Sequence, residues 1–431
     1  MKLDQIEGIL DGKIKGNVKI AGWVENLRSS GGVKFFIIRD GTGTIQATVH
    51  KDEVNKKIFD EAGKLTQEST IVIEGETKED KRAPDGYEIK IENLEIIQIS
   101  EEYPIGKKEH GIDFLLNNRH LWLREKKQTA IIKIRSTVMK SIVDFLDENG
   151  FLRVDSPILT PTCCEESTTL FEAKYSGGKV YLSQSGQLYN EAFISSVGKT
   201  YCFGPTFRAE KSKTKKHLAE FWMVEPEAAF YDFEDNIKLQ EELVSYIVKS
   251  VIKKNRRELN ALERDIKKLE KITPPFPRIS YNETIKLLNK NGFNIKWGED
   301  YGSPQEKFIS QQYEKPIIIY KFPAKMKAFY MKPDPENPKL TLSADIIASE
   351  GYGEIIGGSE RISDVKLLEK KIKEFKLKKQ DYEWYLDLRK YGSVPHSGFG
   401  MGVERLVMWI CGIENIRETV PFPRTMSRMS P

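Results

Sequence analysis

One stretch constrains this chain more than any other: Gly204 to Glu227, GPTFRAEKSKTKKHLAEFWMVEPE. A strand-like run at 200–203 enters it and a second, at 219–230, leaves it. Between them lie Phe207-Arg208-Ala209-Glu210, four lysines (Lys211, Lys213, Lys215, Lys216) and His217. Paired strands that carry an arginine, a glutamate, a cationic loop and an aromatic at Phe221 suit a nucleoside triphosphate. Arg208 would hold a phosphate bidentately and Phe221 would stack on a base. The same residues also suit a charged hairpin on a solvated face, since connecting loops run over the surface. The hairpin alone leaves both readings open.

At 431 residues the chain has room for two or three domains. Its 39% hydrophobic and 31% charged residues are those of a soluble globular protein, and a net charge of +4 announces no nucleic-acid partner. No apolar run approaches a membrane span, and the start MKLDQIEGIL is acidic and too short in its apolar part for a signal peptide. Cys163, Cys164, Cys202 and Cys411 form no CxxC pair, which suggests free thiols in a reducing cytoplasm.

Residues 1–100 read as five short strands (18–25, 33–39, 44–49, 70–74 and 88–97) with a helical piece, 52–65, after the third. That order suggests a small Greek-key barrel of the OB type, a fold that offers aromatics to single-stranded nucleic acid. Trp23, Phe35 and Phe36 are the aromatics, with Arg28, Lys34 and Gln46 for backbone and base edges. Strand alternation buries only one of Phe35 and Phe36; Phe36 and Trp23 are expected in the core. Residues 1–100 hold 15 Lys+Arg against 18 Asp+Glu, so any RNA contact here is local and led by stacking.

A connector, 101–128, separates this barrel from a larger domain, 129–431. A helical period opens at Ala130 and stops at Gly150. Phe151 to Pro157 reads as a short strand, and 160–171 (TPTCCEESTTLF) as an aperiodic loop. Gln187 to Glu191 open another helix. Residues 234–271 look like one long helix with a basic face, either solvated or set against RNA backbone. Gly353–Arg361 makes a strand with two glycines, 365–377 a cationic helix, and Gly398–Arg405 a glycine-rich lead into an apolar helix. The glycines at 398–402 miss G-x-G-x-x-G, no Walker loop is present, and His217-Leu218-Ala219-Glu220 is not H-E-x-x-H.

Three segments remain: Phe151–Pro157, the hairpin with Arg208 and Glu210, and the junction SGFGMGVERLVMWICG with Arg405. Together they resemble motifs 1, 2 and 3 of class II aminoacyl-tRNA synthetases. The barrel narrows the resemblance to the aspartate, asparagine and lysine subgroup, and the long motifs are most similar to its asparagine-charging branch of archaeal type. The resemblance covers nearly the whole chain. It implies an α+β architecture, an OB-type barrel followed by a catalytic domain with an antiparallel sheet flanked by helices, and a homodimer built partly on motif 1. It implies ATP and Mg2+ as cofactors, and asparagine and tRNA(Asn) as substrates.

Position by position, Arg208 would hold the α-phosphate and Glu210 the adenine side, with Ala209 between them. Lys216, His217 and Leu218 would line the ATP pocket, and Phe221 would stack on adenine. Glu354 would coordinate magnesium, and Arg405, on the segment Gly402-Val403-Glu404-Arg405, would bind the far phosphate. Arg208, Glu210 and Arg405 are the expected catalytic residues. In the amino-acid pocket, Glu165 and Gln187 would hold the α-amino group beside Arg208, and Arg361 would face the side chain. Aspartate enzymes carry a lysine where this chain has neutral Asn190, and tend to have serine at Gly357. Glu191 would repel a carboxylate and accept from an amide. Arg28, Phe35 and Gln46 fall where the family reads the anticodon. Two departures stand out: Glu166 where the family has glycine, and Lys216 where arginine is commoner. Alternatives within the fold are an aspartate-charging enzyme, including one that acts on both tRNAs, and a tRNA-independent asparagine synthetase. A binding protein that kept only the scaffold is the alternative outside catalysis.

Overall fold

The computed structural model describes residues 3–106, 108–162, 164, 169–210 and 214–431, and the chain divides into two units, Met1–Gly111 and Ile112–Pro431. In the first, a short helix α1 (Ile6–Leu10) precedes strands β1 (Asn17–Ser30), β2 (Val33–Arg39) and β3 (Thr44–His50). Helix α2 (Lys56–Ala62), capped by Asn55, then leads to β4 (Thr70–Glu79) and β5 (Tyr87–Gln98). The strands close into a barrel in the order β1-β2-β3-β5-β4. Closure rests on β1, whose first half pairs with β4 and whose second half pairs with β2, with an irregularity between Val24 and Asn26 at the changeover. Val18, Ile20 and Val24 point inward with Phe36, Ile38 and Ile73. Trp23 falls on the opposite parity and is 41% exposed, not in the core as expected. Phe36 is buried and Phe35 faces outward, partly exposed.

The second unit opens with α3 (Ile112–Asn117), α4 (Arg119–Trp122) and the long α5 (Lys126–Glu148). Strand β6 (Leu152–Arg153) follows, then β7 (Leu159–Thr160), β8 (Glu172–Tyr175) and β9 (Gly178–Leu182), which form a small separate sheet. Next come α6 (Gln187–Val197), β10 (Lys199–Phe207), β11 (Glu220–Ala229), α7 (Phe233–Lys254), α8 (Arg256–Ala261) and α9 (Ile266–Glu270). The chain continues through β12 (Arg278–Ser280), α10 (Tyr281–Lys290), α11 (Ser303–Ser310), β13 (Ile317–Tyr320), β14 (Ser343–Ala348) and β15 (Gly353–Glu360). It ends with α12 (Val365–Glu374), α13 (Glu383–Lys390), β16 (His396–Gly402) and α14 (Val403–Cys411).

Eight strands form one sheet in the order β12-β13-β14-β15-β16-β11-β10-β6. It is antiparallel except at its two edges, where β12–β13 and β6–β10 run parallel. The core lies between this sheet and helices α5, α7 and α14, which supply Ile134, Val138, Leu243, Ile247, Leu406 and Trp409. Helix α7 starts with a reciprocal cap: Asp232 accepts from the N–H groups of Glu234 and Asp235, and Asp235 accepts from that of Asp232.

Two sequence expectations are corrected. The basic stretch 234–271 is three helices, broken at Asn255 and again before Asp265, where Glu263 takes a positive φ. The stretch 101–128 is not one hinge, because α3 and α4 belong to the larger unit. Arg119, fully buried, donates to the carbonyls of Glu418, Val420 and Pro421 and to Gln128 Oε1, so it ties α4 to the C-terminal segment. Among the described residues no helix is long and apolar enough to cross a membrane.

Candidate active site

The site lies over β11, β16 and β15, and the alternation of β11 builds most of it. Phe221, Met223, Glu225 and Glu227 occupy every second position and share one face. Opposite them on β16 stand Gly402, Gly400 and Gly398, with Met223 in register with Gly402 and Glu227 with Gly398. These glycines make room. A Cβ on Gly400 would meet Met223 Cε at 2.5 Å, and one on Gly398 would meet Glu227 carboxylate atoms at 2.1 to 2.4 Å.

At the Phe221 end, one hollow is lined by Arg208, Glu210, Lys216, His217, Leu218, Phe221, Glu354, Gly402, Glu404 and Arg405, together with Met223, Ile355, Gly400 and Ile416. Residues expected from two distant segments therefore meet in one place. The Arg208 guanidinium lies 5.5 Å from the Phe221 ring and 4.0 Å from Glu210. His217 Nε2 is 3.5 Å from Glu210. Burial, and next the charge of Arg405, lower the His217 pKa, so the ring is neutral at pH 7. Lys216 donates to the carbonyls of Gly351 and Tyr352, and Arg405 to that of Glu354.

Ala209 and Val403 do not line this hollow. The Ala209 N–H donates to Thr169 O. Val403 opens α14, and the helical turn carries its side chain into the core while Arg405 faces the hollow. Glu404 borders the hollow, but its carboxylate is committed elsewhere, to an ion pair with Arg135 at 2.8 Å and the N–H of Trp222.

Two acids that the sequence reading passed over lie near Glu354. Asp345, on β14, pairs with Lys327 at 2.5 Å. A Cβ on Gly357 would meet Glu354 Oε1 at 3.2 Å and Asp345 Oδ1 at 3.4 Å, so this glycine keeps the space between two carboxylates open. Burial pushes Asp345 up to about 7, Lys327 opposing and Glu354 assisting. Glu306, on α11, sits against Gly353, where a Cβ would meet its Oε2 at 2.4 Å, and accepts from the Glu354 N–H. Burial and the neighbouring Glu354 raise its pKa. No group of three or more His, Cys, Asp or Glu side chains poised for a metal occurs among the described residues. Glu354 and Asp345 still offer the hard oxygen donors that suit Mg2+, an ion commonly held by one or two carboxylates plus substrate phosphates.

At the Glu227 end Arg361 and Arg389 are each closed in a pair. Arg361, buried, donates to both carboxylate oxygens of Glu227 and to Ser359 Oγ. Burial pushes Glu227 up, to about 7, against the pull of Arg361. Glu191 on α6 was expected to face a substrate amide. Instead its carboxylate is filled from within, by Gln187 Nε2, Tyr385 Oη, Arg389 Nη2 and His396 Nε2 at 2.5 to 3.0 Å. Burial opposes ionisation there, yet Arg389 and His396 hold its pKa well below the usual carboxylate range. Asn190, also fully buried, donates to Glu225 O, and its Oδ1 has no hydrogen-bond partner among the described residues. Glu225 anchors the start of α6, accepting from Ser185 Oγ and from the N–H of Gly186 at 2.8 Å. Period-two alternation from Phe221 is the signal that could have found Glu225 and Glu227. Glu165 lies outside the described residues, as do 211–213 of the cationic loop.

In the barrel, Arg28, Phe35 and Gln46 share the outer face with Trp23. Arg28 pairs across from Phe35 and lies 4.3 Å over its ring. Gln46 donates to Glu88 Oε2 at 3.1 Å.

Residues 111–426 match the family of tRNA synthetases class II (D, K and N), and residues 18–97 match the OB-fold nucleic acid binding domain. The asparagine–tRNA ligase of Pelotomaculum thermopropionicum is 56% identical over 414 residues, 96% of each chain. The structure of asparaginyl-tRNA synthetase from Pyrococcus horikoshii complexed with asparaginyl-adenylate superposes with a TM-score of 0.96 over 100% of both chains, at 43% identity. The Entamoeba histolytica asparaginyl-tRNA synthetase, also in complex with asparaginyl-adenylate, gives 0.89 over 97% of both, at 32% identity. With an OB-fold barrel ahead of a class II catalytic sheet, this chain belongs to the class II tRNA synthetases of the D, K and N group.

Proposed function

We propose that the protein attaches asparagine to tRNA(Asn) in two steps, forming asparaginyl-adenylate from asparagine and ATP and then passing the acyl group to the tRNA 3′-terminal hydroxyl. The observation that carries this reading is the single hollow that unites Arg208, Glu210, Lys216, Phe221, Glu354 and Arg405. Its agreement in fold, over the full length, with enzymes described as bound to asparaginyl-adenylate supports it.

In the first step the substrate carboxylate attacks the α-phosphorus in line and pyrophosphate leaves. No general base is required, because a carboxylate is ionised at pH 7. The work left to the protein is alignment and charge neutralisation. Arg208 holds the α-phosphate, Phe221 stacks on adenine with Glu210 beside it, and Lys216 and Arg405 take the outer phosphates. His217, neutral, offers a hydrogen bond without adding charge. Glu354, with Asp345 beside it, would hold Mg2+, which supplies further neutralisation of the triphosphate.

The amino-acid end explains the choice of asparagine. Arg361 is neutralised by Glu227 and Glu191 by Arg389, so neither arginine is left uncompensated to receive a β-carboxylate. Gln187 holds the α-amino side, with Glu165 as its expected companion. Arg361 donates to the amide oxygen, and Glu191 acts at one remove by fixing Gln187. Arg28, Phe35 and Gln46 contact the anticodon by stacking and hydrogen bonds. The enzyme works in the cytoplasm, as a homodimer.

Pyrophosphate–ATP exchange, measured with each amino acid in turn, tests the reading. Exchange is expected with asparagine. Exchange stimulated by aspartate alone would overturn the substrate assignment in favour of the aspartate-charging alternative.

A further inference from the structure

Away from the ATP hollow, the second unit carries an open concavity of about 620 Å³ lined by Lys366, Lys370, Lys373, Lys376 and Lys379, with Glu369 among them. Lys366, Lys370 and Lys373 follow one another at spacings of four and three along α12, hence on one face of the helix. The turn that ends the helix adds Lys376 and Lys379. Ile372 and Leu377 form the apolar floor of the concavity, and Leu368 and Ile372 are buried in the cluster beneath.

Residues 364–379 hold seven lysines against three acids, and two of those acids are already occupied. Glu369 pairs with Lys379 at 3.0 Å, and Glu374 with Lys371 at 2.8 Å and Lys370 at 3.9 Å. Lys366, Lys373 and Lys376 are exposed and make no ion pair among the described residues. A solvated helix commonly interleaves both signs. Like charges gathered on a concave wall repel one another and focus a positive field outward, which suits a polyanion with regularly spaced phosphates.

The position narrows the partner. Leu368 and Ile372 share a packed cluster with Leu188, the neighbour of Gln187 on α6, and with Tyr330. The Tyr330 ring lies 5.2 Å from the Arg361 guanidinium. The lysine concavity is therefore the outer side of a wall whose inner side faces the amino-acid pocket. In acyl transfer the 3′ end of the tRNA must reach that pocket, so the arm that carries this end passes close to the wall. We propose that the concavity binds the sugar-phosphate backbone of the tRNA acceptor arm, with Lys366, Lys373 and Lys376 as phosphate contacts. This inference rests on the tRNA-charging reading above.

The test is the triple variant Lys366→Gln/Lys373→Gln/Lys376→Gln in the full chain, with tRNA affinity measured across a salt series. Affinity is expected to fall about tenfold near physiological salt, and the slope of log affinity against log salt to shrink by about 2 to 3. An acceptor-arm minihelix should show the same loss, an anticodon stem-loop none, and tRNA-independent pyrophosphate exchange should be unchanged. Each single variant should remove about one from the slope. Wild-type affinity and slope in the triple variant would overturn the proposal. So would a loss seen with whole tRNA but not with the minihelix, because the contact would then lie on another arm. A triple variant that loses exchange, alongside single variants with unaltered slopes, would also overturn it and leave the lysines a structural role. If the wild-type protein exchanges pyrophosphate with no amino acid, the charging reading itself fails, an outcome separate from all of these.

Discussion

The two ends of the candidate site handle charge in opposite ways. At the ATP end, Lys216 and Arg405 donate to main-chain carbonyls and make no ion pair among the described residues. At the amino-acid end, Arg361 and Arg389 are each closed by a buried carboxylate. Both ends stand on the same strands and share the alternation of β11, so the contrast comes from side chains alone. A triphosphate brings its own negative charge and needs uncompensated cations to meet it. An amide brings none, and its site is built from hydrogen-bonding groups whose charges already cancel. One end is a receptor for charge; the other is a shape.

The most damaging way to break this contrast is to remove a cation from the open end. Arg208→Ala should lower kcat/KM for adenylate formation by about 10³-fold, roughly 4 kcal/mol of transition-state stabilisation. Thermal stability should change far less than activity, because Arg208 is partly exposed. Pyrophosphate exchange alongside a melting curve checks both expectations. Near-normal exchange would show that Arg208 is not the α-phosphate ligand.

At the closed end the same kind of change should strike stability first. Glu191 is ionised in the fold because Arg389 and His396 outweigh its burial. Its folded pKa lies below the unfolded one, so its contribution is complete above the ordinary carboxylate range and is lost as pH falls through that range towards the folded value. Glu191→Gln should cost about 3 kcal/mol at neutral pH, since it leaves Arg389 buried without its partner. It should also flatten the acid limb of stability against pH. Denaturant unfolding at several pH values measures both.

How much of this was legible in the sequence follows the same division. The hairpin leaves two readings open by itself, and the open end becomes legible only when it is set beside the Gly402–Arg405 junction. Even there, Val403 turns into the core and the Glu404 carboxylate is committed to Arg135, since a four-residue motif does not show which side of a new helix turn faces the ligand. The closed end was hidden. Glu225 and Glu227 read as the polar tail of a strand, and Tyr385, Arg389 and His396 lie about two hundred residues from Glu191. A buried pair leaves no local signature, because each half looks like an ordinary surface charge until the fold brings in the other. The barrel is plain from its five β-branched runs, yet Trp23, expected in the core, lies outside it, as the parity of Val18, Ile20 and Val24 along the strand requires.

A gentler change at the closed end would sharpen the comparison by turning it towards the open kind. Glu227→Gln keeps the volume and a hydrogen-bond acceptor for Arg361 but removes the compensating charge. The uncancelled guanidinium should then welcome a β-carboxylate, moving the asparagine-to-aspartate preference in adenylate formation about 100-fold towards aspartate. If the preference holds while the variant stays folded, cancellation of charge is not what selects the amide.

Glu306 probes whether the open end also contains a positioning element, and its effect should be the smallest. It is a buried carboxylate set against Gly353, accepting from the Glu354 N–H and lying in the field of Lys216 and Arg405. Two roles are separable. As an acceptor it fixes the main chain that presents Glu354; as a charge it tempers the two cations. Glu306→Gln preserves the acceptor and removes the charge, whereas Glu306→Ala removes both. If the first role dominates, the Gln variant should raise the KM for ATP only about threefold and the Ala variant about tenfold more, in line with about 1 to 1.5 kcal/mol for a buried hydrogen bond. Equal losses in the two variants would instead make the negative charge the important property. The open end would then be partly compensated too, and its difference from the closed end one of degree.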